Sequence, residues 1–449
     1  MRWLADLVYL LAGLAYTPVA FYNALFLGKN RRGWKQRFGT VPRFDPNRKR
    51  IWIHAVSLGE INCTPLLVDE LHKRLPDYDI VVSTTTDTGY ARGVQLFGAE
   101  RTFRAPLDFS LVVFRSLKRI RPSIIILVEL EVWYNLVHLA TSRGIPVAVV
   151  NGRLTERSAR RFRLLGRAGR SMFEKLAWVG AQDEPIAARF RAAGVRDSRV
   201  EITSSLKWDT AQVADTVDGA EELAESLGIN RGRPLWVCGS TGPGEEALVL
   251  DAYDQLLRDW EGLAQSVQGR HAARVHDHGR PILALVPRKP ERFDEVARLI
   301  ERRGFQCVRR SEHMHGSTAS PWPESGVVLG DTMGELRKFY SLADVVFLGR
   351  TLVPMGGSDP MEVAALGRPL VMGPHTDNFR LPVSALTEAN AIRIAESADS
   401  LPDLIRSILE DGVLAKALGV RAREVVTRNQ GATGRAAAGI VRVIDTAQC

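Results

Sequence analysis

The carboxylates and cations that could do chemistry in this chain of 449 residues stand at the ends of apolar runs. In an open α/β sheet that edge is where ligands bind and reactions occur. "RIWIHAVSLGE" (residues 50–60) supplies β-formers at Ile51, Ile53, Ala55 and Val56, breaks at Ser57-Leu58-Gly59 and delivers Glu60. A glutamate in the first turn of a helix, beside the positive end of the dipole, explains that charge equally. "ILVELEVWYN" (126–135) brings out Glu129 and Glu131, which period two would put on one face of a strand. Paired like charges are costly in a core, so a polar cleft or a cation partner is implied.

Three further stretches carry anion chemistry. "VCGSTGPGEEALVL" (237–250) reads as strand, Gly-rich loop with Ser240 and Thr241, then acidic helix start. Backbone amides in such a loop can cradle a phosphate, although an ordinary tight turn fits as well and neither the Walker nor the dinucleotide fingerprint is present. "LVPRKPERF" (285–293) ends a strand with Arg288, Lys289 and Arg292, and arginine offers bidentate donors to phosphate; a solvated loop is the alternative. "FLGRTLVPMGGSDPMEVAALGRPLVMGPHTDNF" (347–379) runs from a strand through Gly356-Gly357 to a helix start at Ser358-Asp359-Pro360. Glu362 there can accept hydrogen bonds from a ribose, whereas Asp359 reads equally as an N-cap. Asp77-Tyr78-Asp79 precedes its strand and is discounted as a metal pair.

These residues must be positioned by a large α/β scaffold. The length exceeds one ordinary core, and 45% hydrophobic with 25% charged residues is the balance of a folded globular protein. Cys63, Cys238, Cys307 and Cys449 are scattered, as in a reducing compartment without disulfides. From residue 50, β-rich runs alternate with helical stretches, which implies parallel sheets wrapped in helices. Two such series flank residues 216–234 and imply two doubly wound domains. The expected division is 1–28, an anchor helix; 29–215, the first Rossmann-like domain; 216–425, the second; and 426–449, a last helix. The polar stretch from Ala264 to Arg280, with His271, His276 and His278, reads as a surface insertion, a solvated loop in preference to a metal site.

"LADLVYLLAGLAYTPVAFYNALFLG" (4–28) holds one charge, Asp6, and is long enough as a helix, ~37 Å, to span or lie in a bilayer. The next segment, Lys29 to Arg50, holds nine Lys/Arg against one Asp and nearly accounts for the net charge of +9. We read a membrane anchor with the body on the cytoplasmic side, drawn to anionic lipid, against the alternative of a buried first helix of a soluble domain, and no nucleic-acid partner. "NGRLTERSARRFRLLGRAGR" (151–170) is a second basic run, by default a solvated face, although in a membrane-anchored protein it fits a phosphorylated lipid equally.

In this order the motifs "WIHAVSLGE", "STTTDTGY", "APLD", "VELEVWYN", "NGRLTERS", "SSLKWD", "STGPGEE", "PRKPERF", "DTMGEL", "LVPMGGSDPMEVA" and "GPHTDNF" resemble the 3-deoxy-D-manno-octulosonic acid (Kdo) transferases of lipid A biosynthesis. They cover nearly the whole chain after residue 50. The resemblance implies an inverting, metal-independent glycosyltransferase of the two-Rossmann (GT-B) type without a cofactor, with CMP-Kdo as donor, a lipid A precursor as acceptor at the inner membrane, and a last helix that packs back toward the first domain. Glu60 then stands where such enzymes carry their general base. The resemblance puts Ser57, Gly59, Thr85, Glu129, Glu131 and Arg153 on the acceptor side. Lys207, Arg288 and the loop of Ser240 and Thr241 would neutralise the leaving phosphate. Cytidine would lie along Met333, Gly334 and Glu335, with Gly356, Gly357, Ser358, Asp359 and Glu362 completing the donor site. The alternatives are a relative using another CMP- or nucleotide-activated sugar, an inactive nucleotide-sugar binding protein, or a nucleotide-sugar epimerase.

The chain departs from the family pattern in the expected donor site. Such enzymes usually read G-G-S-L where Gly349-Arg350-Thr351-Leu352 stand and G-G-H-N-P where Gly356 to Pro360 stand. They carry His at the positions of Gly242 and Lys289, and Pro at that of Tyr134. Arg350 and Lys289 add cations that would offset the extra charge of Asp359. Glu60 is untouched by these departures.

Overall fold

The computed structural model describes residues 2–26, 32–229, 232–266, 279–314 and 326–448. The chain forms two compact units, Met1–Thr210 with Asn429–Cys449, and Ala211–Arg428.

The first unit is built on β1 (Lys49–His54), β2 (Tyr78–Thr84), β3 (Thr102–Arg104), β4 (Ile124–Val128), β5 (Val147–Gly152), β6 (Trp178–Ala181) and β7 (Val200–Ile202), in the order 3-2-1-4-5-6-7. The pairings are parallel. Its strands are apolar on both faces because helices cover both. Trp52, Val81, Ile125 and Val149 point into one core, and Ile51, Ile53, Ile80 and Ile126 into the other, a strict period of two. The second core is closed by Ala432, Ala436 and Ile440 of the last helix, Ala432–Gln448, which packs beside Pro65–Arg74.

The second unit repeats the plan with β8 (Leu235–Thr241), β9 (Ile282–Pro287), β10 (Gln306–Arg309), β11 (Gly326–Leu329), β12 (Val345–Leu348), β13 (Leu370–Met372) and β14 (Ile392–Ile394), in the order 10-11-9-8-12-13-14, again parallel. The strand order reverses between β1 and β4 in one sheet and between β8 and β12 in the other. These are the topological switch points at which open α/β sheets hold ligands. β3 and β10, which the alternation of apolar runs does not announce, are short edge strands carrying Arg104 and Arg309. Most of the polar stretch from Ala264 to Arg280, including its three histidines, lies outside the described residues.

The expected anchor segment is helical from Arg2 to Phe26. No helix among the described residues is long and apolar enough to cross a membrane. Asp6 docks the helix on the first unit. Its carboxylate accepts from the backbone N–H of Ser110 (2.8 Å), the Ser110 hydroxyl and the Asn135 Nδ2 (2.9 Å). Tyr9 meets Phe109 edge-on at 6.2 Å and Ala5 packs on the core. The other face is left apolar and exposed at Trp3, Leu7, Val8, Leu10, Leu11 and Leu14.

Candidate functional site

In the first unit the site grows from the carboxyl end of β1. Ser57 leaves the strand in an extended conformation and caps the short helix Leu58–Asn62, accepting from the Glu60 N–H. The Glu60 side chain folds back over this turn. Its Oε2 accepts from the Val56 N–H (2.8 Å) and its Oε1 from the Ser57 hydroxyl (2.9 Å). Glu60 is therefore both a first-turn glutamate and a fixed carboxylate at the switch point. Only 9% of its surface is exposed. Burial pushes its pKa up to about 7, the two hydrogen bonds hold it down, and Glu129 and Glu131 raise it further by repulsion. Each carboxylate oxygen keeps a second lone pair for a proton or a hydroxyl.

Glu129 and Glu131 thus come to Glu60 from across the switch point, although not by strand periodicity. β4 stops at Val128, and Glu129 adopts φ 63°, a left-handed turn rare for a non-glycine residue. Its N–H donates to Val150 and its carbonyl accepts from the Arg153 N–H, so Glu129 and Arg153 are stitched to adjacent strand ends. Glu131 accepts from the Trp133 indole at 2.8 Å, and burial with Glu129 beside it raises its pKa. Arg153 is exposed. Thr85 lies on the β2 side, its N–H donating to Val56 and its carbonyl accepting from Arg37 Nη2 at 2.6 Å. Gly59 has open space around it beyond Ser57. Lys207 sits in the turn Leu206–Thr210, hence in the first unit, whereas the other expected donor residues are in the second.

A residue that the motifs did not single out organises that region. Asn151, φ 53° and fully buried, accepts through Oδ1 from Gln182, the Ser205 hydroxyl and the Leu206 N–H. It joins the end of β5 to the turn bearing Lys207.

In the second unit the Gly-rich loop after β8 meets the loop after β12. Glu245, fully buried, holds them together. Its carboxylate accepts backbone N–H groups from Gly242 (3.1 Å), Arg350 (2.5 Å), Thr351 (2.9 Å) and Leu352 (3.0 Å). Burial raises its pKa against the pull of those four donors. Glu246 is occupied by Thr241 (2.9 Å) and a bidentate, buried Arg292 (2.6 and 3.1 Å). Arg292, read above among three cations of an anion site, is thereby committed to structure. Lys289 is exposed near Glu291, at 3.9 Å.

Ser240 and Arg350 both take left-handed conformations, φ 56° and 64°, at the facing strand ends. Arg288 is exposed, its N–H donating to Thr241. Burial and repulsion from Arg288 lower the pKa of Arg350, so the two guanidiniums share one neighbourhood. Gly242 makes room for Arg350: a Cβ there would lie 2.8 Å from Met355 Sδ and 3.0 Å from Arg350 Cγ. Two of the departures from the family pattern are therefore one packing unit.

Gly356 and Gly357 have φ 81° and 84°, and a Cβ on Gly356 would strike Asn378 at 2.3 Å. Both glycines are required, by conformation and by the close approach of residues 375–378. Ser358 is 2% exposed and its hydroxyl has no hydrogen-bond partner, a buried donor awaiting one. The helix that was expected to start at Ser358 begins at Met361, with Pro360 as its cap and Asp359 Oδ1 accepting from the Met361 N–H at 3.0 Å. Burial raises the pKa of Glu362, with Arg337 3.8 Å away in partial compensation. Met333 is exposed and Gly334 has φ 86° in open space. Glu335 is pushed up by burial but pulled down to about 2 by hydrogen bonds from Arg310, Thr332 and Lys338. Its side chain is committed to that cluster, leaving the backbone of 333–335 as the accessible surface. Among the described residues no group of three or more His, Cys, Asp or Glu is placed to hold a metal ion.

Residues 32–210 match a protein family described as 3-deoxy-D-manno-octulosonic-acid transferase (kdotransferase). Over most of its length the chain is similar to two proteins named 3-deoxy-D-manno-octulosonic acid transferase. The one from Haemophilus influenzae is 32% identical over 87% of this chain and 86% of its own. The one from Bordetella pertussis is 33% identical over 86% and 85%. Among solved structures, MurG of Acinetobacter baumannii aligns at TM-score 0.52 and 12% identity over 89% of this chain and 99% of its own, which shows a shared fold.

Proposed function

This chain belongs to the 3-deoxy-D-manno-octulosonic acid (Kdo) transferase family, and we propose that Glu60 is the general base with which it moves Kdo from CMP-Kdo to a lipid A precursor. Kdo transfer in lipopolysaccharide biosynthesis follows from membership; the chemistry below is our reading of the residues. The acceptor is an acylated, phosphorylated glucosamine disaccharide of the lipid IVA type. One of its sugar hydroxyls attacks the anomeric carbon of Kdo from the face opposite CMP, and Glu60 takes the hydroxyl proton as the new bond forms. The bond to the CMP phosphate oxygen breaks, and configuration inverts. No metal takes part in this reading.

The observation that carries it is the buried Glu60 carboxylate at the β1/β4 switch point, with a pKa of about 7. A base poised near the working pH combines ionisation with proton affinity, and such a group is typically worth ~100- to 10,000-fold in rate. In the second unit the leaving phosphate needs charge neutralisation rather than protonation. Arg288 and Arg350 supply it, and the Ser358 hydroxyl donates a hydrogen bond. The backbone of 333–335 and Glu362 take the cytidine and its ribose. Ser57, Thr85, Glu129, Glu131 and Arg153 face the acceptor hydroxyls.

The helix Arg2–Phe26 with its exposed apolar face, followed by the basic segment, would hold the enzyme on the anionic cytoplasmic face of the inner membrane, lying at the interface. Purified protein incubated with CMP-Kdo and a tetraacyl lipid A precursor should give a lipid product heavier by one or more Kdo units, undiminished by EDTA. CMP binding without such a product would favour the second reading, a different CMP-activated sugar. The packing unit of Gly242, Met355 and Arg350 is what favours that alternative.

A further inference from the structure

A cavity of about 930 Å³ opens in the first unit, lined chiefly by Arg32, Trp34, Lys35, Asp87, Tyr90 and Arg104. We propose that it binds the phosphate of an anionic phospholipid headgroup, independent of which sugar is moved.

The cavity is built around Arg104. This residue is 5% exposed, its guanidinium lies 4.3 Å from the Tyr90 ring centroid, and its Nη2 pairs with Asp87 at 2.6 Å. Its Nη1 is shielded from water and has no hydrogen-bond partner. A buried charged donor left unmade is costly, so a phosphate that displaced the side chains shielding it would gain that bond. Gly33 makes the close approach possible: it has φ 82°, and a Cβ there would lie 2.6 Å from Arg104 Cγ. The lining holds three cations against one carboxylate, already engaged by Arg104. Buried Arg37 adds a further positive charge behind it, and Arg104 repels it.

Position selects a lipid as the source of the phosphate. Arg32 follows the helix Arg2–Phe26 by six residues, no more than about 22 Å of extended chain. That helix exposes Trp3, Leu7, Leu11 and Leu14, and Trp34 and Phe38 beside the cavity are exposed as well. Apolar and aromatic side chains next to a cationic pocket are the arrangement of a bilayer interface.

The test is co-sedimentation of the full chain with phosphatidylglycerol or phosphatidylcholine vesicles, with inorganic phosphate titrated separately by thermal shift. The parent should prefer phosphatidylglycerol. Replacing exposed Arg32 and Lys35 together by Gln should weaken that binding by about 30-fold at low salt, since each cation near an anionic surface contributes roughly fivefold. Arg104→Lys, checked for an unchanged melt, keeps the charge but loses the planar fork, and should lose most of the preference. Equal binding to both vesicle types overturns the proposal. So does an Arg104→Lys protein that binds like the parent while the Gln pair does not, which would mean diffuse surface attraction. Tight binding of inorganic phosphate without vesicle preference would assign the cavity to free phosphate and refute the lipid source.

Discussion

Two substitutions beside Glu60 should move its titration in opposite directions. Activity through a general base requires the carboxylate, so the acidic limb of kcat/KM against pH should bend near 7, the value set mainly by burial. Ser57 donates to Oε1 at 2.9 Å and so favours the ionised form. A hydrogen bond to a charged group is worth about 1.5–3 kcal/mol, so Ser57→Ala should raise the pKa by about one to two units at 1.36 kcal/mol per unit. With a one-unit rise the ionised fraction at pH 6 drops from roughly 9% to about 1%, a loss near tenfold, while at pH 9 the two enzymes differ by little. Glu131→Gln removes a repelling charge and should move the limb to lower pH. The assay is kcat/KM for CMP release between pH 5 and 9 at saturating acceptor, with parent and both variants. Limbs that coincide, or that shift the same way, would refute the assignment of the titrating group to Glu60.

Three further outcomes follow from the same geometry. Between pH 4.5 and 7 folded Glu60 holds a proton that the unfolded chain has released, so it lowers stability as pH rises through that window. Glu60→Gln should therefore be more stable than the parent at pH 8, by up to about 3 kcal/mol, and equal to it at pH 4, as read by urea unfolding. Gly242→His drives an imidazole into Met355 and Arg350 and should weaken CMP-Kdo binding tenfold or more, with Arg350→Ser in the same chain restoring much of it; a double variant no better than the single would break the proposed coupling. Glu245→Ala leaves four backbone N–H groups without their acceptor and should destabilise the second unit by about 3 kcal/mol or more, whereas a melting temperature within a degree of the parent would mean that water replaces the carboxylate.

The scaffold was legible because both sheets are parallel and covered on both faces. Strands such as Ile124–Val128 and Val345–Leu348 therefore appear as unbroken apolar runs between helical stretches. Glu60 was legible for the same reason, since a charge just past such a run marks the carboxyl edge. Glu129 and Glu131 were found on a reason that the backbone does not follow, a turn at φ 63° rather than a continuing strand. What could not be read was long-range side-chain pairing. Asp6 looked like a blemish in an apolar helix because its partners, Ser110 and Asn135, lie 104 and 129 residues away. Glu245 reads locally as part of an acidic helix start, yet three of its four donors come from 105 to 107 residues further on. No local period or spacing encodes such contacts.

Replacement of one carboxylate oxygen in Glu60→Gln, followed by turnover with saturating CMP-Kdo and lipid acceptor, tests the role of Glu60 most directly. CMP release should fall by ~100-fold or more with the affinity for CMP-Kdo unchanged, because the fold of the β1 turn survives while its proton acceptor is gone. A Glu60→Gln enzyme that turns over within a few-fold of the parent at pH 7 and 8 would contradict it, and the base would have to be sought at Glu129 or Glu131.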